Sequence, residues 1–172
     1  MKLTDIFDQE EENNTSGTII SGNEIDNCDA YVYMLLDQRK SEIYTYSADD
    51  GEIITISGGE PFYVGKGHQE RCYDHFDVAY NFLDEKNKAS NKYKCRKIRK
   101  IKKETNENPI ILIFKNNLSD KMALKLEEKL IKIIGRHNFE GGTLTNVSAG
   151  GDDTKSNLNK ISIYNKNTDE MK

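Results

Sequence analysis

Cysteine is scarce in this chain: Cys28, Cys72 and Cys95 stand singly, so neither a disulfide framework nor a CxxC zinc site is available to hold a fold together. Reduced thiols, and with them a cytoplasmic location, are the plain expectation. Long apolar runs are lacking too. Nothing approaches the roughly 20 apolar residues a helix needs to span a bilayer, and the N-terminus has no apolar signal core, so neither membrane insertion nor secretion is expected. No aromatic-rich, Gly/Pro-rich or periodic segment is present, which excludes a fibre, a repeat array and a coiled coil. With 172 residues, 35% hydrophobic and 31% charged, what is left is one domain with a real core and polar extensions.

The formal net charge of −4 conceals an uneven distribution. Residues 1–29 carry eight acids (Asp5, Asp8, Glu10, Glu11, Glu12, Glu24, Asp26, Asp29) against Lys2, which is −7 and leaves +3 for residues 30–172. Within that body Lys86, Lys88, Lys92, Lys94, Arg96, Lys97, Arg99, Lys100, Lys102 and Lys103 follow one another without an intervening acid. An isolated run of this kind is commonly a solvated helix face. Beside a catalytic site it favours a polyanionic partner, since each cation near a phosphate releases a condensed counterion.

Patterning divides the chain into an acidic, disordered tail over residues 1–28, a folded domain over 29–151 and an extension over 152–172. Tyr31 to Leu36 is a continuous strand-prone run of the kind buried on both faces. Ile43 to Ile56 reads as strand, turn, strand around Asp50-Gly51, and a second buried strand, Phe62-Tyr63-Val64, is expected to stop at Gly65. Helices are predicted over about 69–84, over 90–104 with a seam of Cys95, Ile98 and Ile101, and over 121–136 behind a Ser119 N-cap. Ile110 to Phe114 reads as a central strand, and Ile161 to Tyr164 as a short one. This is a small α/β domain.

Several polar residues gather at the element ends. Tyr33 and Tyr63 lie on the two buried strands, where tyrosines alone mean core packing. Gly65 and Gly67 flank Lys66, glycines that let a backbone turn and a ligand approach. The spacing is not that of a Walker phosphate loop. Arg71 and His75, four apart, would share a helix face. Taken singly, each residue has an ordinary structural explanation.

In order, however, Tyr31-Val32-Tyr33, Phe62-Tyr63-Val64-Gly65-Lys66-Gly67, Arg71, His75, a helix with Glu127 and then Asn146 resemble the GIY-YIG nuclease superfamily over roughly residues 30–151. The branch with F-Y-V-G-K-G followed by R-x-x-x-H, found in animal ankyrin-repeat and LEM-domain nucleases, is the most similar; phage homing endonucleases are also similar. Tyr31 stands where the first motif has glycine, and the spacer between the motifs is long. The resemblance implies a central antiparallel or mixed three-stranded sheet flanked by helices, with an inserted β-hairpin. It also implies a metal-dependent endonuclease acting on nucleic acid, with DNA the expected partner.

By the same resemblance Glu127, rather than Glu128, holds one divalent ion, Mg²⁺ or Mn²⁺, completed by waters and phosphate oxygens. Tyr63 is the favoured general base, with an exchange of roles with Tyr33 left open. Lys66, three residues on, is expected to favour the Tyr63 phenolate by its charge. Arg71 would hold the scissile phosphate with its planar fork. His75 would contact phosphate or assist proton transfer, and Gly65, Gly67 and Asn146 would support the site. Lys92, Arg96, Lys97, Arg99, Lys100 and Lys103 are the expected nucleic-acid contacts. The alternatives are a catalytically weak binding module using residues 86–103, or a GIY-YIG enzyme that cleaves RNA.

Overall fold

The longest strand-prone run of the sequence becomes the centre of the sheet. In the computed structural model, which describes residues 18–19, 30–81 and 91–150, the elements are β1 (Thr18–Ile19), β2 (Ala30–Asp37), β3 (Tyr44–Ser47), β4 (Ile53–Ile56), β5 (Glu60–Gly67), a 3₁₀ turn (Arg71–Tyr73), α1 (Asp74–Tyr80), α2 (Lys92–Thr105), β6 (Ile110–Leu118) and α3 (Asp120–Ile134). The expected Ile161–Tyr164 strand lies outside the described residues, as does the acidic tail apart from Thr18–Ile19. Those two residues pair with β6, adding a short fourth strand to the three that were expected. The sheet order is β1-β6-β2-β5, and every pairing in it is antiparallel.

All eight residues of β2 are buried because both of its faces are covered. Strand alternation sends Val32, Met34 and Leu36 to one side. There they pack with Val64, Leu112 and Phe114 under Ala123, Leu126 and Leu130 of α3. Tyr31, Tyr33 and Leu35 go to the other side, under Phe76 and Ala79 of α1 and Cys95, Ile98 and Ile101 of α2. The β3–β4 hairpin turns at Gly51, whose φ of +84° suits the Asp-Gly sequence, and its Ile54 and Ile56 join the α3 layer. No helix among the described residues is long and apolar enough to cross a membrane.

Local chemistry sets the helix ends. The Asn91 side chain accepts the Lys94 N–H and starts α2, which ends at Asn106 in the left-handed region. Ser119 caps α3 as expected, and Gly135 ends it. The helix predicted over 69–84 is shorter. Gln69 has φ +47°, which a right-handed helix cannot contain, so a 3₁₀ turn precedes α1. Strand β5 runs past Gly65 to Gly67, because its pairing with β2 continues to Tyr31.

Away from the turn, the C-terminal end of β2 is tied by charge. The Asp37 carboxylate is fully buried, 2.7 Å from Arg39 and 3.1 Å from Lys97, and Arg39 continues to Glu104. Although burial opposes ionisation of Asp37, hydrogen bonds from Arg39 and Lys97 prevail and lower its pKa from 3.8 to about 2. This stabilisation is therefore complete above about pH 4 and lost as pH falls through 2. Asp37→Asn is expected to cost on the order of 2 kcal/mol at pH 7 in urea denaturation. The gap between variant and wild type should narrow from pH 4 towards pH 2.

Candidate active site

Strand β5 forms one edge of the sheet, and a later segment of the chain covers part of that edge. The Thr143 hydroxyl donates to Pro61 O at 2.6 Å, and the Thr145 N–H donates to Phe62 O at 2.7 Å. The Asn146 side chain accepts from Val64 N–H at 3.0 Å and donates to Val64 O at 2.8 Å, acting as one more rung of the ladder. Buried backbone groups need such partners, which gives Asn146 a definite supporting position. Asn91, the cap of α2, donates to Thr145 O and links this segment to the helical layer.

Just beyond Val64 the edge borders a cleft of about 820 Å³. Tyr33 stands opposite Gly65 in register, and its ring lies across that residue: a Cβ at position 65 would be 2.7 Å from the Tyr33 hydroxyl and Cζ. Tyr31 relates to Gly67 in the same way, with a Cβ there 2.9 Å from its hydroxyl. Both glycines serve by leaving room for phenol rings within a strand, where a sharp turn was expected. A register shift beyond Leu35 leaves Phe62 without a partner in β2, so Phe62 and Tyr63 both join the α1/α2 layer.

This arrangement collects the aromatic groups. The Tyr33 and Tyr63 ring centroids are 6.3 Å apart, and His75 of α1 meets the Tyr63 ring edge-on at 4.8 Å. The Tyr33 hydroxyl is hydrogen-bonded to His75 Nε2. Burial, reinforced by the charges of Lys94 and Arg71, pushes His75 down to about 3, so the imidazole is neutral at pH 7. With the ring proton on Nδ1, the phenol donates to Nε2. Burial also raises Tyr33 well above 10 and Tyr63 to about 12; Glu127 adds to the Tyr63 shift and Arg71 opposes it. Both phenols are protonated at rest.

The cations are distributed differently from the sequence expectation. Residues three apart on a strand point to opposite faces, so Lys66 projects away from the Tyr63 side. Its ammonium pairs with Asp120 at 2.7 Å, and the charge expected to favour the Tyr63 phenolate does not come from it. Lys66 still lines the cleft. Lys94 takes the place beside the phenol, its Nζ 4.1 Å from the Tyr63 ring centroid. Burial, with some help from Arg71, lowers Lys94 to about 8. Sequence reasoning counted Lys94 only within the basic run. Its signal was helical register, since it shares the apolar seam with Ile98 and Ile101.

The other expected nucleic-acid contacts separate by face. Lys92, Arg96, Lys100 and Lys103 are exposed along one side of α2. Lys97 instead pairs with Asp37 and lies near Glu60, and Arg99 donates to Ala79 O at 3.0 Å. Helical rotation of 100° per residue puts these two, half-buried, on either flank of the buried Ile98.

From the opposite layer α3 brings Glu127 to the cleft, whereas Glu128 lines a separate hollow beside the hairpin. Among the described residues no group of three or more His, Cys, Asp or Glu could enclose a metal. Two carboxylates, Glu127 and Asp74, line the cleft, and even one carboxylate facing an open, hydratable cleft is a donor set that Mg²⁺ accepts, since it keeps most of its waters. Glu127 fits that requirement.

A family model described as the LEM-3-like GIY-YIG domain matches residues 30–167. The chain belongs to this family. The match begins with β2 and continues into the segment read from sequence as an extension. No curated protein and no solved structure shows significant similarity to the chain. GIY-YIG domains are nucleases that generally use divalent metal ions, so the family implies hydrolysis of nucleic acid. In this GIY-YIG domain Tyr33, Tyr63, Lys66, Arg71, His75 and Glu127 all line one cleft, and Lys94 joins them. Because the Tyr33 ring occupies the space a Cβ would need, Gly65→Ala should lower stability by about 1–3 kcal/mol in thermal denaturation. The loss should shrink in a Tyr33→Ala background.

Proposed function

We propose that this GIY-YIG domain is a metal-dependent endonuclease that hydrolyses phosphodiester bonds in DNA. The observation that carries the reading is the convergence, across one sheet edge, of two phenols, a neutral imidazole and an arginine from one layer with a carboxylate from the other. The exposed cations of α2 favour a polyanionic substrate.

Hydrolysis joins a water oxygen to phosphorus and breaks a P–O bond, and it needs a proton acceptor and compensation for growing negative charge. Tyr63 is the proton acceptor in this reading. Its phenolate is favoured by Arg71 against the opposing charge of Glu127, and the Lys94 ammonium stands over its ring. Arg71 clamps the non-bridging oxygens with its planar fork. Tyr33, held by neutral His75, orients the water or the phosphate. Glu127 would hold the divalent ion, which when bound supplies Lewis-acid charge to the phosphate oxygens. Asn146 pins the β5 backbone next to Tyr63 through its paired bonds to Val64.

Purified protein with Mg²⁺ or Mn²⁺ is expected to nick supercoiled plasmid DNA. Arg71→Ala and Glu127→Ala should each lower the rate by about 10²-fold or more. Equal cutting by wild type and Glu127→Ala would refute the assignment, and parallel assays on single-stranded RNA, duplex DNA and branched DNA test the substrate.

The Lys94 charge also generates a pH dependence. An acceptor phenol with a pKa near 12 makes the rate climb with pH through neutrality, and Lys94 loses its proton near 8. The slope of log(kcat/KM) against pH should therefore decrease above about pH 8. Lys94→Met should lower kcat/KM by on the order of 10²-fold below that pH and abolish the break. An unchanged profile in the variant would remove Lys94 from the mechanism.

A further inference from the structure

We propose that Tyr31 is a positioning residue for Arg71, its buried hydroxyl holding the turn that aims the guanidinium into the cleft. The inference rests on Arg71 acting on phosphate, as proposed above. Tyr31 lies on an inner strand of the sheet, is fully buried and is two residues from Tyr33 along β2. Its hydroxyl donates to Gln69 O at 2.7 Å and accepts from Cys72 N–H at 3.1 Å. These two backbone groups bracket Arg71 in the chain.

The bracketed segment needs an external anchor. Its own bonds are those of short turns leading into α1: Arg71 N–H to His68 O at 3.1 Å, Tyr73 N–H to Glu70 O at 2.9 Å, and Asp74 N–H to Arg71 O. Single turns of this kind are marginal by themselves, because few bonds offset the fixed dihedrals. Gln69 is moreover held at φ +47°, a conformation that a residue with a Cβ adopts only where its surroundings impose it. The Tyr31 hydroxyl bonds the carbonyl of that same residue. It reaches there because Gly67, opposite it in β5, leaves space that a Cβ would fill to within 2.9 Å of the hydroxyl.

The anchored arginine is central to the site. Arg71 lines the cleft, and its charge is felt at Tyr33, Tyr63, His75 and Lys94. A displaced guanidinium would thus alter both phosphate binding and the electrostatics of the phenols.

A double-mutant cycle on plasmid nicking with Mg²⁺ tests the inference, using Tyr31→Phe, which keeps the ring, and Arg71→Lys. Tyr31→Phe is expected to lower kcat about tenfold with KM for plasmid changed less than about twofold. In the Arg71→Lys background the same change should cost less than about twofold, because the group it positions is already gone. Gly67→Ala, which crowds the hydroxyl from the other side, should show the same coupling and keeps the test available if Tyr31→Phe does not fold. Tyr80→Phe removes a phenol bonded to Asn108 elsewhere and should show no coupling. Wild-type kcat in a folded Tyr31→Phe, or full multiplicative losses in the double variant, would overturn the positioning role while leaving the Arg71 reading intact. Wild-type cleavage by Arg71→Lys would overturn both.

Discussion

The ring of Tyr33 fills the space that a side chain at position 65 would need, and the ring of Tyr31 does the same at position 67. Two phenols are thereby laid across the outer strand from the central one, below the level at which other side chains stand. Helix α1 can then close over them and deliver His75 to the Tyr33 hydroxyl. Tyr63 reaches the same layer because the register shift at Phe62 changes the facing of β5 at that point. A Cβ at Gly65 or Gly67 would have to displace a ring in a core that is close-packed and has no slack to accept it.

The second organising feature is that the cleft straddles the sheet edge. Layers packed on opposite faces of a sheet are ordinarily separated by it, yet Glu127 of α3 and Lys94 of α2 line one cavity. Both reach it around β5, whose edge is partly covered by Thr143, Thr145 and Asn146. Burial of the individual groups then sets the charges: it pushes both phenols further above the usual phenol value, keeps the imidazole neutral and makes the Lys94 ammonium easier to deprotonate than usual. The resting cleft sets Lys66, Arg71 and Lys94 against two carboxylates, Asp74 and Glu127, a balance suited to receive an anion.

Much of this was legible from pattern. The doubly buried β2, the Asp-Gly hairpin, the Ser119 cap and the termination of α3 at Gly135 all follow from local rules, and each appears in the structure. The order of motifs led to the GIY-YIG family, and the resemblance singled out Glu127 rather than Glu128; of the two, Glu127 lines the cleft. What pattern did not supply was the facing of side chains whose partners are distant in sequence. Lys66 sits beside Tyr63 in the chain and is drawn to Asp120 across another face. Lys97 and Arg99 look like their neighbours in a basic run, but they are tied to Asp37 and Ala79.

The sequence by itself determined which segments become strands and helices, and which residue types, in which order, identify a nuclease domain. Those properties depend on side-chain period, caps and turn residues, all read within a few positions. Only the tertiary structure decided that Lys94 would be the charge over Tyr63, that Gly65 and Gly67 make room for rings, and that Tyr31 brackets Arg71. Each of those depends on strand register and on layers meeting around an edge, across separations of about thirty residues or more in every case. Period and propensity carry no information about which distant residue a side chain will meet, so these relations follow from packing.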